Sequence, residues 1–248
     1  MKIKKKKINK ITIATPFYNE ENGLDYFFNT LFSIKKLLNQ LNVDVSFLFI
    51  NDGSIDGTKI KLEKFKKKNK FLNIKIVNHK KNFGYGRTIK TSFLNCKTDY
   101  LITYDSDCSY DYKIIKNLIK SIGNGVDIVN VSYKLAKGKN DLSFFRKILS
   151  WGASTIYRIF FRSLRKNLVT VFTCSYRIYC IKKIKDIKIK SDDFASCSEL
   201  LIKSLLNGIK VKEIPGINNG RKYGESKMKI FKNIISTIKI IILIKLNY

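Results

Sequence analysis

From Ile11 onward, short apolar runs alternate with longer stretches in which apolar residues recur every three or four positions. Residues 11–15, 43–50, 74–78, 100–104 and 128–132 are rich in β-branched and aromatic side chains and carry few charges. Runs of that length and composition predict strands buried on both faces. Between them, residues 23–41, 57–69, 88–95 and 112–122 have helical spacing. Strand–helix alternation at this interval predicts right-handed crossovers and a mainly parallel sheet, an α/β architecture. Pro16, directly after the first run, is expected to end that strand's pairing because it has no N–H to give.

Past Ser132 the rhythm changes. Residues 144–164 form one long helical stretch in which Phe, Trp, Ile and Tyr mix with Arg146, Lys147, Arg158 and Arg162. A last strand is expected over 210–214, stopped by Pro215. The tail is helical, and its apolar run 234–246 is broken by Lys239 and Lys245. That run is shorter than the ~20 residues a spanning helix needs, so a helix lying on a membrane surface is the expectation. The chain is therefore expected to be one domain over residues 1–227, followed by an amphipathic helix over 228–248.

The predicted strands finish on polar groups: Asn19-Glu20, Asn51-Asp52-Gly53 and Asp105-Ser106-Asp107. In an open α/β sheet, ligands bind beyond the carboxyl ends of the strands. Asp105 and Asp107, with one residue between them, can both reach a single hard cation shared with a diphosphate. Alone the pattern is weak, because turns produce Asp-x-Asp often. Tyr18 and Asn19 could stack on and hydrogen-bond a base or ribose, or simply close a loop. Asp52 could accept hydrogen bonds from a nucleobase, while Ser54 or Asp56 could cap the next helix. Asn82-Phe83-Gly84-Tyr85-Gly86-Arg87 permits close approach of a ligand and offers Arg87 to phosphate, or serves as a plain loop-to-helix junction. It lacks the third glycine of a dinucleotide fingerprint.

Composition narrows the chemistry. His79 is the one histidine among 248 residues, which removes mechanisms needing a His base together with a His ligand. Five cysteines, scattered and without CxxC spacing, argue against a zinc site or a disulfide framework and for a reducing compartment. The formal charge of +30 comes from 49 basic residues of which seven are Arg. Lysine-rich charge without an Arg cluster or a recognisable module makes nucleic acid a poor partner, while anionic head groups remain a good one. The first ten residues are a basic tail leading into a strand, without the apolar core of an export signal.

Taken in order, Pro16-Phe17-Tyr18-Asn19-Glu20, Asn51 through Thr58, Asn82 through Gly86, and Asp105-Ser106-Asp107 resemble the motifs of family 2 glycosyltransferases. Arg221-Lys222-Tyr223-Gly224-Glu225-Ser226-Lys227 resembles the R-x-x-G-x-S-K motif of the dolichol-phosphate (polyprenyl-phosphate) mannosyltransferase branch. Glu213-Ile214-Pro215 and Thr173 through Tyr179 fit the same branch. The resemblance spans residues 11–229 and implies the GT-A fold and an inverting transfer from a nucleotide sugar to a polyprenyl phosphate or a glycan hydroxyl. A catalytically silent binder of nucleotide sugar or membrane surface is the alternative of another class. The implied donor-binding residues are Pro16, Tyr18, Asn19, Glu20, Asp52, Ser54, Gly84, Arg87, Asp105 and Ser106. The implied metal is Mg²⁺ or Mn²⁺ on Asp105 and Asp107. The implied catalytic groups are Asp107, Arg221, Lys227 and, if a base is needed, Glu199, with Asp192 and Asp193 as competitors for that part. Glu199 could equally serve the start of a helix. The implied location is the cytosolic face of a membrane. Three departures stand out: Asn51 replaces an acid, Ser109 stands where the branch often has Gln, and Tyr133 replaces an Arg.

Overall fold

The computed structural model describes residues 8–137, 144–161, 169–223 and 230–246. Four strands run parallel in the order β3 (Ile74–Asn78), β2 (Asp44–Asn51), β1 (Lys10–Phe17) and β4 (Tyr100–Thr103). The sheet continues through β6 (Arg177–Cys180), antiparallel to both β4 and β5 (Ile128–Ser132), and ends with β7 (Val211–Pro215) parallel to β5. Ile13, Phe49, Ile102, Val129 and Ile178 are fully buried, which accounts for the continuous apolar character of those runs.

Helices α1 (Leu24–Gln40), α2 (Thr58–Lys68), α3 (Tyr85–Asn95) and α4 (Ile114–Ser121) follow the first four strands. The buried side of α1 carries Leu24, Phe27, Phe28, Leu31, Ile34 and Leu38, the three-and-four spacing that made it legible. Beyond β5 come α5 (Phe144–Phe160), the one-turn α6 (Ile181–Ile184), α7 (Ala195–Leu206) and α8 (Ile230–Lys245). Tyr157 of α5, Leu201 and Ile202 of α7, and Ile240, Ile241 and Ile244 of α8 share a second apolar cluster, so α8 packs onto the domain through one face. Ile235, Ile238 and Ile242 on the same helix are more than half exposed. No helix of the described residues is long and apolar enough to cross a membrane.

Three expectations change. Pro16 lies inside β1, in register with Ile50, and does not end it. Backbone groups alternate sides along a strand, and Ala14 gives its carbonyl to Tyr104 N, so Pro16 faces the β4 side. There β4 has already finished pairing, at Ala14 with Thr103, and the missing N–H costs nothing. Second, α7 begins at Ala195, which puts Glu199 a full turn inside the helix rather than at its start. Third, β6 is a strand that periodicity did not predict. Its Arg177 is fully buried and hydrogen-bonds Asn130 Oδ1 at 2.7 Å and the carbonyls of Cys197 and Phe172 at 2.6 and 2.7 Å.

Candidate active site

The carboxyl ends of β1, β2 and β4 meet along one rim of the sheet, and the loops leaving them interlock. Asn19 takes a left-handed backbone (φ 52°) just past β1. Its N–H donates to Ser54 Oγ at 3.0 Å, and its Oδ1 accepts from Ile55 N at 2.9 Å. Glu20 N donates to Thr58 Oγ1 at 2.9 Å, and Glu21 accepts from Gly57 N at 2.8 Å. Asn19 and Ser54, two of the expected donor-binding residues, thus tie the β1 and β2 loops to each other. Tyr18 is half-buried beside them.

Asp52 is 2% exposed at the end of β2. Its carboxylate accepts from Phe83 N at 3.0 Å and Gly84 N at 2.8 Å, and lies 2.6 Å from His79 Nδ1. The other ring nitrogen of His79 meets Thr91 Oγ1 at 2.9 Å. These contacts hold the loop into α3 against the sheet. Gly84 sits at φ 101°, and a Cβ there would come within 2.3 Å of the Asp192 carbonyl. Gly86 N donates to that same carbonyl at 2.8 Å. The glycines therefore let the 191–194 segment approach the loop; their requirement is tertiary.

Asp105 is held by a hydroxyl on each of its two carboxylate oxygens. Ser175 Oγ donates to its Oδ2 at 2.5 Å, and Tyr85 OH to its Oδ1 at 3.3 Å. Burial, then the charge of Asp107, raises its pKa to about 6, against the pull of those two hydroxyls and of Arg221. Asp107 accepts from Ser109 N at 3.0 Å, and its Oδ2 lies 3.4 Å from Arg221 Nε. Ser106, between the acids, is 9% exposed. Arg221 arrives from β7 through a connection anchored at Tyr110 and Ser109: Asn218 bridges Tyr110, and Asn219 N donates to Ser109 O at 2.8 Å.

Two neighbouring acids, one of them pushed up by burial and by the charge of the other, form a site that favours a cation, and Arg221 is the positive group now beside it. Among the described residues no cluster of three or more His, Cys, Asp or Glu side chains could hold a metal by itself. Two hard oxygen donors suit Mg²⁺ or Mn²⁺, ions that take one or two carboxylates and complete their shell with water and substrate oxygens, rather than an all-protein cage.

Other expected residues have different partners. Arg87 pairs with Asp192 (Nε to Oδ1, 3.1 Å), as does Lys90 at 2.8 Å. Asp193 accepts from Ser191 Oγ at 2.7 Å, caps α7 through Ala195 N at 3.0 Å, and bonds Ser236 of α8. Glu199 does not face the site as a base would. It is 1% exposed and holds Lys190 N and Ser191 N, each at 2.8 Å, and Lys203 Nζ at 2.5 Å. Its acid charge is matched inside the fold, which corrects the catalytic expectation. Lys227 lies outside the described residues. Ser175 and Tyr85 are the contributors that residue types did not single out; both lay within quoted motifs, yet a hydroxyl gives no signal of its partner.

A mixed, mainly parallel sheet with an acid pair beyond its central strand defines the GT-A class of nucleotide-sugar fold. A family model described as glycosyl transferase family 2 matches residues 12–188, and the chain belongs to that family. It is 28% identical over 225 residues to a dolichol-phosphate mannosyltransferase of Pyrococcus furiosus, covering 89% of this chain and 59% of that protein. It is 26% identical to an undecaprenyl-phosphate 4-deoxy-4-formamido-L-arabinose transferase of Proteus mirabilis, covering 91% and 65% respectively. The chain thus spans under two thirds of the length of these relatives. Among solved structures, glucosyl-3-phosphoglycerate synthase of Mycobacterium tuberculosis, crystallised with Mn²⁺, UDP and phosphoglyceric acid, aligns with a TM-score of 0.67. At 14% identity, over 94% of this chain and 76% of that one, the likeness is one of fold.

Proposed function

We propose that this chain transfers a hexose from a nucleotide sugar to a membrane polyprenyl phosphate, with inversion at the anomeric carbon. The observation that carries this reading is the Asp105–Asp107 pair beyond β4, with Arg221 poised against it. A phosphate oxygen of the acceptor attacks C1 from the face opposite the leaving group; the C1–oxygen bond to the diphosphate breaks as the new one forms. Asp105 and Asp107 would hold Mg²⁺ or Mn²⁺, whose contribution when bound is Lewis-acid stabilisation of the leaving diphosphate. Arg221 adds a second positive charge there, and Lys227 is proposed to add a third. Tyr18, Asn19, Ser54 and the Gly84 loop are proposed to border the nucleoside.

The acceptor choice draws on the acids around the site. A polyprenyl phosphate is already ionised near neutral pH and needs no base, whereas a sugar hydroxyl does. Asp192 is paired with two cations, Asp193 caps a helix, and Glu199 is buried against Lys203. All three expected bases are thereby occupied, which favours the phosphate. The names of the P. furiosus and P. mirabilis relatives agree.

Residues 1–227 are proposed as the transferase domain and 228–248 as its membrane-surface helix. Trp151 and Ile159 of α5, Ile235, Ile238 and Ile242 of α8, and Leu246 just past it are all more than half exposed, in a chain of charge +30. Such a combination suits the head-group layer of an anionic leaflet. The free cysteines accord with its cytosolic side. Truncation after Lys227 is expected to lower binding to anionic liposomes.

The deciding assay measures nucleoside diphosphate released from GDP- and UDP-sugars with Mn²⁺, with and without a short polyprenyl phosphate. Release that needs one donor, the metal and the lipid supports the reading. Turnover indifferent to the lipid moves the acceptor to a hydroxyl. No turnover with any donor favours a silent binder.

A further inference from the structure

Asp105 is gripped from two elements that are far apart in sequence. Ser175 stands in the lead-in to β6, and Tyr85 opens α3; each donates to a different oxygen of the same carboxylate, at 2.5 and 3.3 Å. Neither hydroxyl rides on a loose segment. The carbonyl of Ser175 accepts from Thr103 Oγ1, and the chain just before it is braced by Glu213, which takes Thr170 N at 2.8 Å and Val171 N at 3.1 Å. Buried Arg177 then bonds the Phe172 carbonyl at 2.7 Å. On the other side, the Tyr85 ring stacks on Phe194 with centroids 4.7 Å apart and planes 15° apart. Phe194 belongs to the segment whose Asp192 carbonyl receives Gly86 N.

We infer that Ser175 and Tyr85 are the positioning residues of Asp105, setting the carboxylate's orientation and hence the affinity of the site for a small divalent cation, with Phe194 acting through Tyr85. The inference rests on the reading of Asp105 and Asp107 as cation ligands. An ionised carboxylate has about four lone-pair sites, so two donated hydrogen bonds leave one free site on each oxygen. With its rotation stopped, the carboxylate keeps those free sites aimed without an ordering cost at the moment of binding. Partners that orient metal ligands in this way are worth about 10–100-fold in affinity. The Ser175 bond is short enough for a charge-assisted O–H···O contact, and the Tyr85 bond is longer than ideal. Ser175 therefore carries the larger share.

The test is binding of Mn²⁺ alone to the full chain, followed by the electron paramagnetic resonance signal of free Mn²⁺, with metal-free melting temperatures measured alongside. Wild type should bind and Asp107→Ala should not. Ser175→Ala should weaken binding by about tenfold or more and Tyr85→Phe by a smaller factor, while Ser175→Thr, which keeps the hydroxyl, recovers most of the loss. Phe194→Ala should also weaken binding, but add no further loss on top of Tyr85→Phe. Unchanged Mn²⁺ affinity in Ser175→Ala, with only a lower melting temperature, overturns the inference and leaves a packing role. So does a Phe194→Ala loss that persists in full without the Tyr85 hydroxyl. If wild type takes up no Mn²⁺, or Asp107→Ala binds as well as wild type, the cation-ligand reading itself is wrong and the inference falls with it.

Discussion

Arg221 grasps Glu20 through both carboxylate oxygens, at 2.9 and 2.8 Å, across 201 residues of sequence, while its Nε rests 3.4 Å from Asp107 Oδ2. Glu20 is 9% exposed, so the pair is largely withdrawn from water. One guanidinium therefore spans the β1 loop and the acid pair, and in the metal-free chain it supplies the positive charge that the pair favours. Glu20, expected to touch the donor, has the more immediate task of aiming Arg221.

Replacing Arg221 with Met should split two readouts in opposite directions. Binding of Mn²⁺ alone should tighten by about 3–10-fold, because a competing positive charge is gone. Release of nucleoside diphosphate should slow by about 10²-fold, because a group that stabilises the leaving charge is gone. Titration of Mn²⁺ and single-turnover assays check the two arms; Mn²⁺ affinity that falls instead would mean that Arg221 organises the acids.

Asp105 should destabilise the metal-free protein near neutral pH. Its pKa is raised to about 6 in the fold, so the folded chain holds that proton more tightly than the unfolded chain. The stabilisation is fully present below the unfolded value of about 4 and disappears as pH rises through about 6. Asp105→Asn should thus melt roughly 2–6 °C above wild type at pH 7.5, with the gap closing towards pH 4, and should no longer be stabilised by added Mn²⁺. Calorimetry across that range decides; a lower melting temperature at pH 7.5 would contradict it.

Asp52 should matter to folding as much as to ligand. Asp52→Ala leaves two backbone N–H groups and His79 without their acceptor, at a cost of about 2–4 kcal/mol in urea unfolding. The loop that carries Gly84 and Tyr85 would loosen with it, so KM for the donor should rise even in protein that remains folded. Stability within about 0.5 kcal/mol of wild type would show that water replaces the carboxylate.

Asp192 should prove dispensable for chemistry. Burial alone would raise its pKa, but the hydrogen bonds and charges of Lys90 and Arg87 together outweigh that and hold the carboxyl below its usual value. It contributes stability at neutral pH that is lost as pH falls below its usual value of 3.8. Because the pair is nearly half exposed, Asp192→Asn should cost no more than about 1 kcal/mol at pH 7, with the difference vanishing in acid. Turnover should stay within about threefold of wild type, whereas a base would lose about 10²-fold or more.

Much of this molecule was legible before folding. Strands covered on both faces must be apolar almost without interruption, which made β1, β2, β4 and β5 legible, and with the less buried β3 and β7 they stood out within two residues of their observed ends. The acids at their tips followed from the direction of the strands, as did the glycines before α3. What escaped was β6, whose Arg177 breaks the apolar signal and is tolerated only because three acceptors converge on it inside the core. Glu199 misled for a related reason, since an acid written near an apolar run says nothing of a lysine one turn on that neutralises it.

Residue order was enough to say which elements form and which end of the sheet would carry the polar groups, because burial imposes a period on strands and helices. Which polar groups meet came from the packing of the chain: Arg221 with Glu20 and Asp107, Ser175 and Tyr85 with Asp105, Asp52 with the Gly84 loop. Those pairings join loops from distant strands. A hydrogen bond of about 3 Å depends on where two backbones end in space, and no local pattern of residues encodes that distance.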